Sequence, residues 1–405
     1  MTDFPVPRDY RTQGRHGMFP ELTHDECERF NYLAAVNLHL ARVVAPSVRE
    51  AYRARGEPAF RAGHGRAPAN RHEAQAVLAE DPQFQTWTAL RRANMEQRQQ
   101  AGRWVALRQA DELAARASAF TNGDARLVLD PALAVPDYLT EAHHHCMPGS
   151  FFEEGFAGDV TNGANYDAGF FVTIGGADDP WLTANGEGLV KTLAAYDPDF
   201  APRTVLDLGA TIGHATIAVA RAYPQAQVTA VDLGAPVLRY GLARALSMQV
   251  NTIRFVQADA TNLAHIADES VDLVYSIILL HETSEEAMRQ VLRESHRVLR
   301  PGGIAVHVDI CRHSDAVAPL DQALRDWDGP YNNEPFWTRF RDIDLAAEMV
   351  EAGFDAQEIF HAAPMHNSRI MKVEDIRIGR GPIPPDASAT PAKHLIGARK
   401  QARAA

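Results

Sequence analysis

The sequence predicts an α/β protein: a doubly wound parallel sheet of seven strands, with a mainly helical region in front of it. Three observations carry that reading. From about residue 185 to 380, short apolar β-branched runs alternate with helical patterns, the mark of parallel strands joined by crossover helices. The first of these runs, TVLDL, turns through glycine straight into a helix. Residues 71–117, by contrast, are rich in Ala, Leu, Gln, Glu and Arg, all good helix formers.

Composition bounds the rest. A chain of 405 residues, 46% hydrophobic, has room for two or three domains. With 40 Lys+Arg against 52 Asp+Glu the net charge is −12, a field that repels polyphosphate and anionic lipid, so neither a nucleic-acid nor a membrane partner is expected. No window approaches the ~18 apolar residues of a membrane span, and the first residues lack the apolar core of a secretory signal, so a cytoplasmic location is expected. Cys27, Cys146 and Cys311 stand far apart, which suggests free thiols rather than disulfides or a cysteine-rich zinc site.

Along the chain, residues 1–22 carry prolines and glycines among charges and read as a loose arm. Thr23 and Glu26 form a capping box that opens a helix running to Val44, and Pro46 and Gly56 bracket a shorter one. The helices of 71–117 break once, at Asp81-Pro82. Trp87, Leu90, Ala93 or Met95, Trp104, Leu107 and Leu113 recur there at helical intervals, as a core or as a homodimer seam. Residues 120–183 turn to Gly, Asn, Asp and aromatics, the texture of a loop-lined pocket. Residues 23–183 are therefore expected to cover a pocket, and 184–380 to form the sheet domain. Its strands are placed at 203–208, 227–232, 253–258, 271–279, 303–310, 355–361 and 369–378. Residues 381–405, rich in Pro and Ala with a basic end, read as a flexible tail.

The chemistry sits in Val205-Leu-Asp207-Leu-Gly209-Ala-Thr211-Ile-Gly213-His214. A strand that turns through small residues into a helix N-terminus leaves backbone amides facing a ligand. The dinucleotide fingerprint G-x-G-x-x-G fails here, because its positions hold Gly209, Thr211 and His214. A ligand without pyrophosphate, carrying an amino group to meet Asp207, suits the turn better. Asp232 ends the second strand, where a carboxylate can accept both ribose hydroxyls, and Asp259 ends the third, where with the Ala260 amide it can read an adenine edge. One strand-end Asp is often only a helix cap, but three in register describe a nucleoside site.

VLDLGATIGHAT, VTAVDL, ADATNL, SVDLVYSIILLHET and ESHRVLRPGGIAVHVD together resemble the class I S-adenosylmethionine-dependent methyltransferases, over roughly residues 185–380. The resemblance implies their Rossmann-like seven-stranded fold and S-adenosyl-L-methionine as cofactor. It implies that Asp207, Gly209, Thr211 and Gly213 cradle the methionine part, Asp232 with Leu233 the ribose, and Asp259 with Ala260 the adenine, with Ser276 and Ile277 at the floor. Thr211 stands where the family has a further glycine. The implied activity is methylation of a small molecule.

Methyl transfer aligns an acceptor in line with the methyl group, and a hydroxyl acceptor must also lose a proton. His281, after the fourth strand, is the candidate base for O-methylation, its position resembling the base histidine of plant-type O-methyltransferases. A pocket-wall role is the competing reading. Glu282 either orients that ring or, near a helix start whose capping box is read as Thr283 with Glu286, serves as a cap. His143-His144-His145-Cys146 invites a metal reading, but consecutive residues are not expected to converge on one ion, so no metal is expected and His145 is placed over the cleft with Tyr166, Asp167, Phe170 and Phe171. Residues 327–341 read as a lid over the acceptor, with Tyr331, Asn333, Trp337 and Arg341 as substrate contacts. The alternatives are C- or N-methylation by proximity, a non-methylating reaction on this fold, and a zinc hydrolase at the histidine cluster.

Overall fold

The computed structural model describes residues 6–177, 179–365, 372–389 and 393–401. The helical region runs through α1 (His24–His39), α2 (Ala45–Ala51), α3 (Glu57–His64), α4 (Arg71–Ala79), α5 (Pro82–Leu107) and α6 (Ala110–Thr121). It continues through β1 (Leu127–Val128), α7 (Asp137–Thr140), α8 (Thr161–Thr173) and α9 (Ala184–Tyr196). The sheet domain follows as β2 (Thr204–Leu208), α10 (His214–Ala222), β3 (Gln227–Asp232), α11 (Ala235–Ser247), β4 (Ile253–Gln257), β5 (Val271–Ile277), α12 (Glu285–Val298) and β6 (Leu299–Ile310). The chain then passes α13 (Pro319–Arg325), α14 (Asp328–Tyr331), α15 (Trp337–Phe340) and α16 (Leu345–Glu351) to β7 (Ile359–Met365), β8 (Gly379–Arg380) and β9 (Lys393–Arg399). Among the described residues no helix is long and apolar enough to cross a membrane.

The strands form one sheet in the order β1-β4-β3-β2-β5-β6-β9-β7-β8. Its central strands are buried on both faces, and successive side chains alternate between two cores. Val205 and Leu273 point into a core with Ile217, Leu238 and Leu242 of α10 and α11, while their neighbours Leu206 and Val274 point into another with Met288, Val291 and Met349 of α12 and α16. Each such side chain contributes about 1.5–3 kcal/mol on full burial, so the doubly wound arrangement follows from the apolar pattern alone.

The expected count of seven strands is exceeded, and the sheet is mixed. β1 adds a parallel edge beside β4, pairing Leu127 with Phe255. At the other side β9 inserts antiparallel between β6 and β7, so that Gly397 faces both Val306 and Phe360. Residues 393–399 are therefore an inner strand rather than part of a flexible tail. A Cβ at Gly397 would lie 2.6 Å from the Phe360 ring and 2.7 Å from the Ala305 carbonyl, so only glycine lets three strands meet there. The strand expected at 369–378 lies partly outside the described residues, and its remainder holds a 3₁₀ turn, Val373–Asp375.

Three further expectations are corrected. The described part of the N-terminal arm packs inward: Tyr10 and Met18 are fully buried, and the Tyr10 hydroxyl donates to the Ala168 carbonyl at 2.9 Å. Pro46 does not end a helix, because π-helical turns at Leu40–Val44 and Tyr52–Gly56 absorb Pro46 and Pro58 within one continuous rod. The cap of α12 is Ser284, whose side chain accepts from the Ala287 amide, while the Thr283 hydroxyl turns back to the Leu280 carbonyl. The Thr23–Glu26 capping box forms as read, and Asp81, at the expected break, caps α5 by accepting from the Gln83 amide.

α8 lies in the stretch read as loop. Its glycines are contact points: a Cβ at Gly163 would meet Tyr240 at 2.5 Å, and one at Gly169 would meet the Arg98 guanidinium at 2.8 Å. Close packing against α5 and α11 thus overrides the weak helix propensity of Gly and Asn. This wedge brings the helical region onto the carboxyl ends of the strands. On α5, Trp87 is buried, as is Leu113 on α6, whereas Leu90, Trp104 and Leu107 are exposed.

Candidate functional site

A crevice of about 410 Å³ opens at the carboxyl ends of β2 to β5, where open α/β sheets bind ligands. One end is built by a single stretch of chain. The β2–α10 turn carries left-handed backbone at Gly209, Thr211 and Gly213, with φ of 73°, 50° and 77°. Thr211 thus keeps the conformation of the glycine expected there, at a cost of roughly 1–2 kcal/mol for a residue with a Cβ. At Gly209 a Cβ would lie 2.7 Å from Leu279, so the turn can hug the crevice only without one.

Asp232 joins the turns: its carboxylate accepts from the Thr211 and Gly234 amides, each at 2.9 Å. Burial raises its pKa, opposed by those amides. Asp207 accepts on one oxygen from the Thr216 hydroxyl at 2.5 Å and the Tyr275 hydroxyl at 2.7 Å. Burial pushes its pKa up to about 7 against those two bonds, with Asp232 adding to the rise. Asp259 caps its own turn through the Thr261 amide at 2.8 Å and lines the crevice with Ala260, Leu233 and Tyr138.

Two expected members of this end stand behind it. Gly213 caps α10 against the Phe255 ring, and Ser276 is fully buried and bonded to His307 Nδ1 at 2.8 Å; neither lines the crevice, whereas Ile277 does. The fit to a sulfonium nucleoside rests on charge and shape. Three carboxylates line a wall without phosphate-binding glycine spacing, which disfavours pyrophosphate and suits a cationic ligand with hydroxyls.

The other end is assembled from distant segments. Glu282 lies at its centre: Oε2 is 2.7 Å from His144 Nδ1, Oε1 is 2.7 Å from His145 Nε2, and His281 Nε2 stands 3.5 Å from Oε1. The other nitrogen of His145 pairs with Glu334. His281 Nδ1 is 2.6 Å from Asp309, whose second oxygen accepts from the Leu280 amide at 2.9 Å. His144 and His145 both reach Glu282 because His145 and Cys146 turn the chain with φ of 53° and 55°, although of residues 143–146 only His144 joins a group placed to hold an ion. Ile278, with φ of 57°, and Asn333, with φ of 54°, mark the segments that deliver Glu282 and Glu334. Left-handed non-glycine backbone on all three segments is strain that the fold maintains at one place.

His281 does not line the crevice. It is 1% exposed, with Trp337 edge-on to its ring at 5.1 Å, and burial is outweighed by Asp309 and Glu282 so that its pKa rises to about 10. A ring protonated at neutral pH behind Glu282 is no free base, which corrects the expectation of a neutral imidazole facing the acceptor. Burial opposes the charge on His145, yet Glu334 and Glu282 hold its pKa well above the ordinary value, and its partners hold Glu282 well below its own.

Of the expected acceptor contacts, His145, Tyr166 and Trp337 line the crevice. Phe171 belongs to the core around Tyr10, and it is Phe170 that faces the cavity. Tyr331 packs against Phe84 and Trp327, Asn333 bonds Arg92 and the His143 carbonyl, and Arg341 is buried on the Cys311 carbonyl at 2.7 Å. Much of the expected lid therefore fastens the insertion to the helical region. Asp167 ties His16, His214, Tyr240 and Arg244 together.

Sequence reading missed Arg98, Gln99, Tyr138, Asp309 and Glu334. Arg98 lines the crevice fully buried, and its bonds go to the Gly169 carbonyl and Gln99 rather than to a carboxylate. Burial lowers its pKa to about 10, which leaves it charged. An arginine inside the apolar face of a long helix was the available signal.

Residues 205–303 match the family described as a methyltransferase domain. The chain is 31% identical over 174 residues to an uncharacterized methyltransferase of Synechocystis, covering 43% of this chain and 77% of that protein. It is 34% identical over 143 residues to a malonyl-[acyl-carrier protein] O-methyltransferase of Xylella fastidiosa, covering 35% of this chain and 45% of that one. The chain thus spans about half the length of the malonyl-[acyl-carrier protein] O-methyltransferases it matches. An O-methyltransferase family protein from Burkholderia thailandensis aligns over 76% of this chain and 72% of its own, at 15% identity and a TM-score of 0.42.

Proposed function

We propose that this chain, which belongs to the class I S-adenosylmethionine-dependent methyltransferases, methylates a small-molecule acceptor at oxygen. S-adenosylmethionine is its cofactor, and when bound it supplies an electrophilic methyl group on a sulfonium. The Gly209–Gly213 turn with Asp207 would hold its methionine part, Asp232 with Leu233 the ribose, and Asp259 with Ala260 the adenine. The buried cation of Arg98 suits a carboxylate of either ligand.

The observation that carries the oxygen reading is the continuity of one crevice from those acids to Glu282 and His145. An acceptor hydroxyl must lose its proton as the new bond forms. Of the carboxylate–imidazole network, the Glu282 carboxylate faces the crevice and is the group placed to receive it, while His145, held in its charged form by Glu282 and Glu334, would offer positive charge to the developing oxyanion. His281 and Asp309 act from behind as positioning residues that fix Glu282. α5, α8 and the 144–152 loop roof the crevice, keep water away and limit the acceptor to a small molecule. Several matched relatives are named O-methyltransferases, which supports oxygen as the acceptor atom, while one is named a release factor glutamine methyltransferase.

The test is S-adenosylhomocysteine formation over a panel of small phenols, carboxylic acids and amines, for the wild type and Glu282→Gln. The expected result is turnover of a hydroxyl or carboxyl acceptor that falls about 10²- to 10⁴-fold in the variant, the range of a lost proton-transfer group, with S-adenosylhomocysteine affinity unchanged. An amine acceptor turned over equally by both proteins overturns the oxygen reading and leaves methylation by proximity.

A further inference from the structure

We propose that His144, Glu282 and Glu334 form a binding site for a first-row transition dication at the acceptor end of the crevice. One ligand atom from each lies within 4.8 Å of the other two, a spread that a small inward movement closes to tetrahedral spacing around an ion at about 2.0–2.2 Å. The inference rests on the methyltransferase reading only for its purpose, not for its geometry.

Two independent observations point to a missing partner. His144 Nε2, Glu334 Oε2 and His281 Nε2 are buried atoms without a hydrogen bond, and His144 and Glu334 are 2% and 1% exposed. A buried polar atom left unpaired costs about 1–3 kcal/mol, and three of them in one cluster are explained together by one ion and the ligand shift it brings. The second observation is charge. Glu282, Glu334 and Asp309 are enclosed side by side, and among the described residues every ion pair they make is with a histidine. Those carboxylates are balanced by protons shared with the rings, and a dication among them would take over that role.

The surrounding groups match what metal sites require. His281, braced by Asp309 and standing behind Glu282, is the kind of outer partner that orients a ligating carboxylate. His145, whose ring now spans Glu282 and Glu334, would give up one of those bonds to the ion. One imidazole with two carboxylates selects zinc, iron, cobalt or manganese over magnesium or calcium, which prefer all-oxygen cages. Glu282 and His144 both line the crevice, so the ion's open positions face the acceptor. It would bind an acceptor oxygen and make that hydroxyl more acidic, which names the substrate class as an acceptor with a hydroxyl or carboxyl group able to ligate a metal.

The experiment uses the full chain, freed of metal by dialysis against chelator and saturated with S-adenosylhomocysteine. Co²⁺ is titrated with its visible absorption as the readout, and Zn²⁺ separately by calorimetry. The expected result is one ion per chain, with affinity reduced at least 50-fold in Glu334→Gln and in His144→Gln, while S-adenosylhomocysteine affinity stays within twofold and so reports an intact fold. Failure of both ions to bind stoichiometrically overturns the proposal, as does binding that survives both substitutions. A wild-type chain that ignores S-adenosylhomocysteine yet binds Co²⁺ through these residues would upset the methyltransferase reading and leave the metal site standing.

Discussion

The two ends of the crevice are built on opposite plans. The cofactor end comes almost entirely from residues 207–260, where each strand end delivers its own acid and β2, β3 and β4 set the spacing. The acceptor end gathers Arg98 and Gln99 from α5, His144 and His145 from a strained loop, Tyr166 and Phe170 from α8, Glu282 from the turn after β5, and Glu334 and Trp337 from the insertion after β6. The first is a property of local sequence on a regular lattice of strands. The second exists only when distant pieces dock, so it inherits the stability of the whole sheet, including its last strand.

That dependence gives the largest expected effect. Deleting residues 392–405 removes β9, exposes the long edges of β6 and β7, and takes away Lys393 from the crevice wall. Unpaired inner edges aggregate. The expected outcome is loss of soluble folded protein, seen as the absence of a cooperative melt by circular dichroism. A truncated chain that melts cooperatively near the wild-type temperature would show that the two ends are independent after all.

The same contrast explains what the sequence revealed. The Asp207, Asp232 and Asp259 positions are readable because strand ends and turn glycines are short-range signals. The doubly wound core is readable because short apolar runs, buried on both faces, alternate with helical patterns. β9 is not, since HLIGAR is short, buried on both faces and set among Pro and Ala, and its pairing depends on Gly397 meeting Val306 and Phe360, 91 and 37 residues earlier. α8 hides for a related reason, its glycines being packing devices. The Glu282 cluster could not be foreseen from His143-His144-His145, because the convergence depends on left-handed φ at His145 and on Glu334 arriving from nearly 190 residues later.

Asp232→Ala tests the cofactor end alone. It removes the acceptor for the Thr211 and Gly234 amides as well as the proposed ribose partner. Hydrogen bonds to a charged group are worth about 1.5–3 kcal/mol, so S-adenosylhomocysteine affinity should fall roughly 10- to 150-fold in calorimetry. Co²⁺ binding at the acceptor end should hold. A parallel loss of both would mean that the two ends are coupled through the β2–α10 turn.

Asp207 offers a gentler probe through pH. Burial holds its pKa near 7 in the free protein, so the carboxyl is neutral below that value and ionised above it. If it meets the amino group of the ligand, binding requires the ionised form. S-adenosylhomocysteine affinity should then weaken as pH falls from 8 through 7, by about tenfold at pH 6. The sign is opposite for folding. A carboxyl whose pKa is raised in the folded state loses stability as pH climbs from about 4 to 7, so tighter binding at high pH cannot be mistaken for a firmer fold. Asp207→Asn should flatten the binding profile; a profile unchanged by that substitution would remove Asp207 from contact with the ligand.

The smallest effect expected is that of Thr211→Gly, and it bears directly on why the cofactor end tolerates a departure from its motif. The left-handed φ of 50° costs a threonine roughly 1–2 kcal/mol, which glycine recovers. Glycine gives back roughly 0.5–1 kcal/mol through the greater freedom of its unfolded chain. Stability should therefore rise by no more than about 1.5 kcal/mol, read as a shift of a few degrees at most in the thermal midpoint. The amide that bonds Asp232 is retained by the substitution, so S-adenosylhomocysteine affinity should change less than threefold. A loss beyond tenfold would show that the threonine hydroxyl itself holds the ligand, and that the strain at this position is maintained for binding.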